Sequence, residues 1–594
     1  MNISKTLIAI LMILSLLGMA TRASAQDDPP VDDPVLRALA DELARSMTLE
    51  LEDLGRPYFV EYAVDDTDSL TISASYGAVV SSDQNRSRRL RSHVRVGSYQ
   101  LDNTNFSGGG GGGMGGRARR GGGGGRGAGD TALPIEDNYT AIRQAIWSAT
   151  DDAYKAAVQQ FTEKQAYMAD RETSGRPDDF SQEEPLLVIE PRMEQSFDAP
   201  LWEKNLRAIS ARFLESGKIT EADVDLRVSA TNNYLVNSEG TRQRTGLSRT
   251  LLAVSASGLT ADGERLSDEE QFFAFAPEQL PTLEELLSSV DALIQRLEAT
   301  LDAPTLDNYT GPVLIDSLAA AQMFHALLAS GLGGMPEPVG AGRRRAARGE
   351  SLDRLLGRRI LPRFMQVYDD PRAELFDGTL LAGSYKVDDQ GVLAQRISIV
   401  EEGKLVGMAM SRAPTGEFSG SNGHGRGRRG MPEATAGCLY VEASKGQPEA
   451  ALKEALIELA ADQGLTFGIR ISSLRGDTSG GAEEGMRAAF MRRQQGGGGG
   501  PTLPDPILIH KVFVEDGREE RVRSGEFGDF DVGRLKEILI AGDSRTVLNQ
   551  FGLLGSGVPQ SVIAPAVLYE ELDLYRIEQE QVRKPILEAP GSRR

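Results

Sequence analysis

Apolar positions recur every three to four residues over 32–54 (Leu36, Leu39, Leu43, Met47, Leu51), and this spacing predicts an amphipathic helix that Pro57 ends. The period then falls to two. Residues 58–64, 70–80 and 91–97 predict strands. The longest helical pattern, 138–171, places Ile142, Ile146, Tyr154, Val158 and Phe161 on one face, with Trp147 and Tyr154 expected to pack a core. A strand at 185–190, a helix at 202–214, a hairpin of 223–230 with 233–238, a strand at 247–258 and a helix at 280–301 complete the first half.

The second half is arranged around 311–338. The apolar run 312–315 predicts a strand, Asp316 or Ser317 can cap the next element, and 318–332 predicts an Ala- and Leu-rich helix ended by Gly333-Gly334. From Leu361 on, the pattern is mostly β. Strands are predicted at 380–387, 395–400, 404–411, 438–442 and 467–474, with a turn at Glu402-Gly403 and a helix at 449–464. The fold class is α+β: an N-terminal mixed helix and antiparallel-sheet domain (26–305) followed by a β-rich C-terminal domain (306–594).

Composition changes this picture in three places. The 66 glycines are clustered, and the tracts at 107–129, 339–349, 421–431 and 494–501 predict flexible loops that have little apolar surface to bury. The arginines in the first tract suit RNA or other anions, but a net charge of −21 points away from a general nucleic-acid binder and towards a solvated inserted loop. Lys5, the apolar run 7–19 and the small residues Ala23-Ser24-Ala25 predict a signal peptide over 1–25, and hence a periplasmic or secreted protein. No later segment has ~18 unbroken apolar residues, so no transmembrane segment is expected after cleavage. The single cysteine, Cys438, leaves no internal disulfide and no Cys-rich metal site.

Candidate chemistry is sparse. The imidazoles are His93, His325, His424 and His510. In SNGHGRGRRG (421–430), Asn422, His424 and Arg426 are candidate substrate-binding residues, since guanidinium forks and loop N–H groups suit a peptide carboxylate or another anion; the competing reading is a solvated loop. Cys438 could pair with His424, but it lies in the apolar run CLYV and is expected to be buried. No G-x-S-x-G elbow is present, and the pairs Asp151-Asp152 and Asp369-Asp370 are of a kind common at helix starts and turns.

Several phrases, in order, resemble the TldD/PmbA family, which is metallopeptidase-related and also called modulator of DNA gyrase. HVRVGSYQLDNTNF (93–106) is similar to its first-domain strand, 139–166 to the long helix of an exported branch, and 311–334 to its strand-to-helix signature. SNGHGRG (421–427) with CLYVEASKG (438–446), and 562–576, resemble its C-terminal loop and strands. The resemblance implies a homo- or heterodimer with a sibling, a peptide substrate or ligand, and, in catalytic members, zinc held by an H-E-x-x-x-H helix and a late cysteine. Carried over residue by residue, His325 takes the first histidine, Ala326 stands for the glutamate and Ser330 for the second histidine; the cysteine would fall in GLLGSG (552–557), which has none. A peptidase zinc needs about three protein ligands and a nearby base. The reading is therefore a metal-site-degenerate subunit, without a cofactor of its own, that binds peptides or completes a catalytic partner's cavity. The alternatives are an active metallopeptidase drawing ligands from elsewhere, such as His424 or a partner chain, and a non-enzymatic envelope scaffold.

Overall fold

The computed structural model describes residues 33–50, 55–107, 130–169, 171, 175–194, 197–340, 352–427, 433–475, 503–551 and 558–577. The expected signal peptide, most of the Gly/Arg tracts (108–129, 341–349, 428–431, 494–501) and 552–557 lie outside these residues.

Period-two patterning in the first half builds one sheet from β1 (Pro57–Ser75), β2 (Ala78–Val96), β3 (Asp130–Ala132), β4 (Leu187–Ile189), β5 (Ile219–Asn237), β6 (Arg242–Leu259) and β7 (Arg265–Ala274). Their order is β3-β2-β1-β5-β6-β4, with β7 also on β6, and all pairings are antiparallel except β4 with β6. The strands are longer than the sequence predicts. Residues 58–64 and 70–75 form one strand, and the chain reverses at Tyr76-Gly77, whose φ angles of 45° and 80° make the two-residue turn that suits strand twist. The hairpin expected within 223–238 is the single strand β5. Asn232, between the two expected strands, is buried, with the side-chain amide bonded to both N and O of Met193.

Helix α1 (Pro34–Ser46) starts where Asp33 accepts hydrogen bonds from the N–H groups of Val35 and Leu36, and α2 (Tyr139–Met168) where Asn138 accepts one from Ala141. Both pack on the face of the sheet that carries Val60, Tyr62 and Val64. Farther along the same face, α3 (Ala199–Ala211) and α4 (Leu283–Leu301) cover Leu70, Ile72 and Ala74. All these β1 positions are even-numbered, so the odd-numbered ones project to the other side. Tyr154 is in the core, but Trp147 is 43% exposed on the outer surface of α2, against expectation.

In the second half, β8 (Tyr309–Ile315), β9 (Met365–Asp369), β10 (Ile397–Glu401), β11 (Lys404–Leu405), β12 (Cys438–Ala443), β13 (Phe467–Leu474), β14 (Pro506–Phe513), β15 (Glu519–Val522), β16 (Gly525–Phe527), β17 (Ile538–Gln550) and β18 (Gln560–Arg576) form a mixed sheet. Its order is β11-β10-β9-β12-β18-β8-β13-β14-β15, with β16 and β17 also on β18. The apolar run of β8 is buried on both faces: Val313 and Ile315 pack with α5 (Ser317–Leu327), and Leu314 with α6 (Glu449–Asp462). The strand expected at 380–387 is reduced to Thr379–Leu380 and an isolated bridge of Val387 to Leu393, and 404–411 splits into two short pieces. The fold is α+β, with an antiparallel, helix-backed N-terminal sheet and a β-rich C-terminal one. No helix among the described residues is long and apolar enough to cross a membrane.

Side chains join the halves. Arg523 on the C-terminal side meets Asp262 and Glu264 on the N-terminal side. Arg412 donates to the carbonyl of Ser181 and to Glu239. Thus the odd-numbered face of β1 at its Phe59–Glu61 end is closed against the second half, not against solvent.

Candidate functional site

Helix α5 stops earlier than its Ala and Leu content predicts. It ends at Leu327; Leu328 has φ −110° and ψ −61°, and a 3-10 turn follows at Ala329–Gly331. Gly333-Gly334 then pairs in parallel with Ala409-Met410. Gly333 is required there, since a Cβ would lie 2.1 Å from the carbonyl oxygen of Ala434. Asp316 sits at the cap position without capping; its carboxylate takes hydrogen bonds from Arg470 and Ser472 instead.

Residues five apart need a distorted turn to converge, and the chain leaves regular helix between His325 and Ser330, but their groups are turned to other uses. His325 Nε2 lies 2.9 Å from Gln560 Oε1, and Gln560 Nε2 donates to the carbonyl of Ala436 at 3.1 Å. The second bond orients the amide, so Nε2 of His325 carries the proton and is a donor, not a metal ligand. Ser330 Oγ donates to the carbonyl of Ala326 at 2.7 Å. Ala326 supplies only a methyl group. Among the described residues no group of three or more His, Cys, Asp or Glu is placed to hold a metal ion. A peptidase zinc does not fit the residues of this helix.

The structure brings Asn422, His424 and Arg426 together, but facing inward. Asn422 accepts from the N–H of Met410 at 2.8 Å and donates to the carbonyl of Met408 at 2.9 Å. His424 is fully buried, with Nδ1 3.0 Å from the Asn422 carbonyl and Nε2 3.2 Å from Asp369 Oδ1. Both partners are acceptors, so both ring nitrogens carry protons and the imidazole is a buried cation paired with Asp369. Burial works against this, but the hydrogen bond and charge of Asp369 outweigh it and lift the imidazole above its usual range. Arg426 is buried with its guanidinium 4.0 Å over the Tyr385 ring and Nε 3.5 Å from Asp389. Cys438 is buried in β12, and burial pushes its thiol well up. The loop 421–427 thus holds 408–411 in place, and Ser411 there forms part of the wall of a cleft.

That cleft lies between the halves and encloses about 140 Å³. Phe59, Glu61, His93, Arg95 and Phe180 line it from the N-terminal side. Met335, Pro336, Gln390, Ala413 and Glu433 line it from the C-terminal side. The register of β1 on β2 sets its floor: Phe59 stands opposite Arg95 and Glu61 opposite His93, all on the odd-numbered face. Phe180 is held between the guanidinium groups of Arg95, at 3.6 Å, and Arg412, at 4.0 Å. Arg95 donates to Asp102 at 2.7 Å, and Asp102 also accepts from Tyr58 at 2.7 Å. Glu61 is 4% exposed. Burial lifts its carboxyl to about 7 despite the opposing fields of Arg412, Arg95 and Arg91. Its nearest ionic neighbour is His93 Nδ1 at 3.8 Å.

Sequence reasoning passed over Glu61 and gave His93 no role. Two signals mark them: a lone carboxylate inside the apolar run FVEYAV, and the alternation Arg91, His93, Arg95 along a strand whose other face is apolar. His510 lies on β14 beside Arg521, away from the cleft.

Residues 308–489 match the model of the PmbA/TldA metallopeptidase C-terminal domain. Among solved structures the fold is similar to that of TldE from Thermococcus kodakarensis, with a TM-score of 0.53, 14% identity and coverage of 91% of this chain and 100% of that one. It is similar as well to a candidate modulator of DNA gyrase from Thermotoga maritima, with a TM-score of 0.53 and 13% identity over 87% of this chain and 96% of that one. A third likeness, to a candidate modulator of DNA gyrase from Bacteroides thetaiotaomicron, has a TM-score of 0.52 and 11% identity over 92% of this chain and 98% of that one. At such identities the likeness is one of fold. No curated protein matches the chain in sequence.

Proposed function

We propose that this protein is an exported, metal-site-degenerate member of the PmbA/TldD family that binds peptides without hydrolysing them, or completes the cavity of a catalytic sibling in a dimer. The observation that carries this reading is the state of the helix that gives the domain its signature. His325 is a hydrogen-bond donor to Gln560, Ser330 is bonded to its own helix, and Ala326 offers no base. Hydrolysis at a peptidase zinc requires ligands that hold the ion, an open position for water and a carboxylate to take the proton. His424, the nearest substitute in the sequence reading, has both ring nitrogens engaged in the core.

What remains is a cleft of the size of a small side chain or chain terminus, with fixed polar groups on its N-terminal floor and a C-terminal wall buttressed by Asn422, His424 and Arg426. In this reading those three residues shape the binding surface through Met410 and Ser411. The test is titration of the purified chain with unstructured peptides, followed by mass spectrometry of the mixture. Binding with every peptide recovered intact is expected. Cleavage by the chain alone that a chelator abolishes would overturn the proposal. Export is tested by cell fractionation, with the mature chain expected to begin near Gln26.

A further inference from the structure

Glu61 holds an unusual position in the cleft. Its carboxylate is buried, faces the cavity and makes no hydrogen bond among the described residues, while His93 Nδ1, at 3.8 Å, is too far to donate one. The cations around it are committed elsewhere. Arg95 serves Asp102, Arg91 serves Asp65, and Arg412 serves Glu239. From the remaining elements, Asp179 is paired with Lys164 and Arg176, Asp388 takes its hydrogen bonds from backbone N–H groups, and Glu433 stands exposed at the rim. Matched in this way, the arginines leave one carboxylate over, and it is the one that opens into the cavity. A buried carboxylate without a donor is costly, and a cation entering the site removes that cost.

We propose that Glu61, backed by His93, is the receptor for a primary ammonium group in the cleft between the two halves, supplied by a peptide's amino terminus or by a lysine side chain. The apolar wall of Met335, Pro336 and Ala413 excludes water around the pair and strengthens it, and it accommodates the carbon attached to the nitrogen. The site rests on the peptide-binding reading only for the identity of the molecule that carries the ammonium; the recognition chemistry stands on Glu61 itself. Because burial keeps this carboxyl partly protonated near neutrality, an incoming ammonium favours its ionised form and drives a proton out.

The experiment is isothermal titration calorimetry of the full chain at pH 7 with L-alaninamide, Nα-acetyl-L-lysine amide and N-acetyl-L-alaninamide, repeated in buffers of different ionisation enthalpy. The first two probes separate an α-amine from a side-chain amine, and the third has neither. At least one amine probe is expected to bind with release of a fraction of a proton, and the acetylated alaninamide to bind at least tenfold more weakly. Glu61→Gln is expected to weaken the amine by at least tenfold, to abolish proton release and to keep a cooperative thermal transition. Ala413→Phe, which fills the cavity from the opposite wall and leaves Glu61 intact, is expected to block binding as well. Unchanged affinity in either variant, or binding of N-acetyl-L-alaninamide as tight as that of the amine probes, would overturn the proposal. Failure of the peptide reading alone has a separate signature: the small amine still depends on Glu61, but tri-alanine amide gains no affinity over L-alaninamide.

Discussion

Glu61 carries a pH signature that is independent of any ligand. Its carboxyl ordinarily titrates at 4.5 and is lifted to about 7 in the fold by burial. Below the lower value it is neutral whether the chain is folded or not. Above it, the unfolded chain gives up the proton and the folded chain holds it, so the stabilisation is lost as pH rises through about 7. Glu61→Gln stays neutral throughout. It should therefore match the wild type near pH 4 and exceed its stability at pH 8 by about 3 kcal/mol, since each pH unit between the two values is worth ~1.4 kcal/mol. Urea melts at the two pH values check this; equal gains at both would contradict it. In the sequence, this carboxylate shows only as a charge in an apolar run. Nothing local says that three arginines from distant segments surround it, or that each is already paired. The same holds for His424, which is legible as an imidazole in a glycine loop, while its partner Asp369 on β9 is fixed only by the fold.

Secondary structure was more legible than the ends of its elements. Helices α2 and α6 and strand β13 follow their periodicity closely because their apolar faces are continuous. The departures have tertiary causes. The Tyr76-Gly77 turn lacks an Asn or Asp signature, and the flanking strands impose the left-handed conformation on a tyrosine. Asn232 stays in a strand because Met193 satisfies its amide. Helix α5 is cut short so that Gly333-Gly334 can reach Ala409-Met410, a partner invisible in the local pattern. The last point is testable. Gly333→Ala drives a Cβ to 2.1 Å from the Ala434 carbonyl oxygen, whereas at Gly416 a Cβ meets nothing within 4 Å. The first substitution should cost ~1–3 kcal/mol through the backbone shift it forces, and the second should leave the melting temperature nearly unchanged. Equal effects would show that the approach at Gly333 is not tight.

The cleft exists because two sheets are held at a fixed separation by ion pairs that span the chain. Sequence patterning predicted the α+β class and the order of its halves, but not this join, since charged residues in separate strands carry no mark of their partners. Arg412, fully buried at the join, offers the sharpest test of it. It stacks on Phe180 and bonds Ser181 and Glu239. Arg412→Ala leaves the largely shielded Glu239 side chain without its cation and should destabilise the fold by ~3–5 kcal/mol; Arg412→Lys should not restore it, because an ammonium has neither the planar face nor the fork. Urea denaturation of both variants measures the difference, and full rescue by lysine would contradict this account of the join. By contrast, His325→Ala removes a hydrogen bond to Gln560 at 2.9 Å and no group placed to hold a metal ion, so any peptidase activity of this chain with a catalytic sibling should persist. A large loss of kcat at unchanged folding would contradict that expectation.

The central proposal is that helix α5 keeps the shape of a peptidase metal helix without its chemistry. Metal analysis of the natively purified protein, run beside a peptide-cleavage assay with and without a chelator, tests it most directly. The account predicts substoichiometric zinc and no chelator-sensitive cleavage by this chain alone. One zinc per chain, together with cleavage that the chelator stops and added zinc restores, would contradict it.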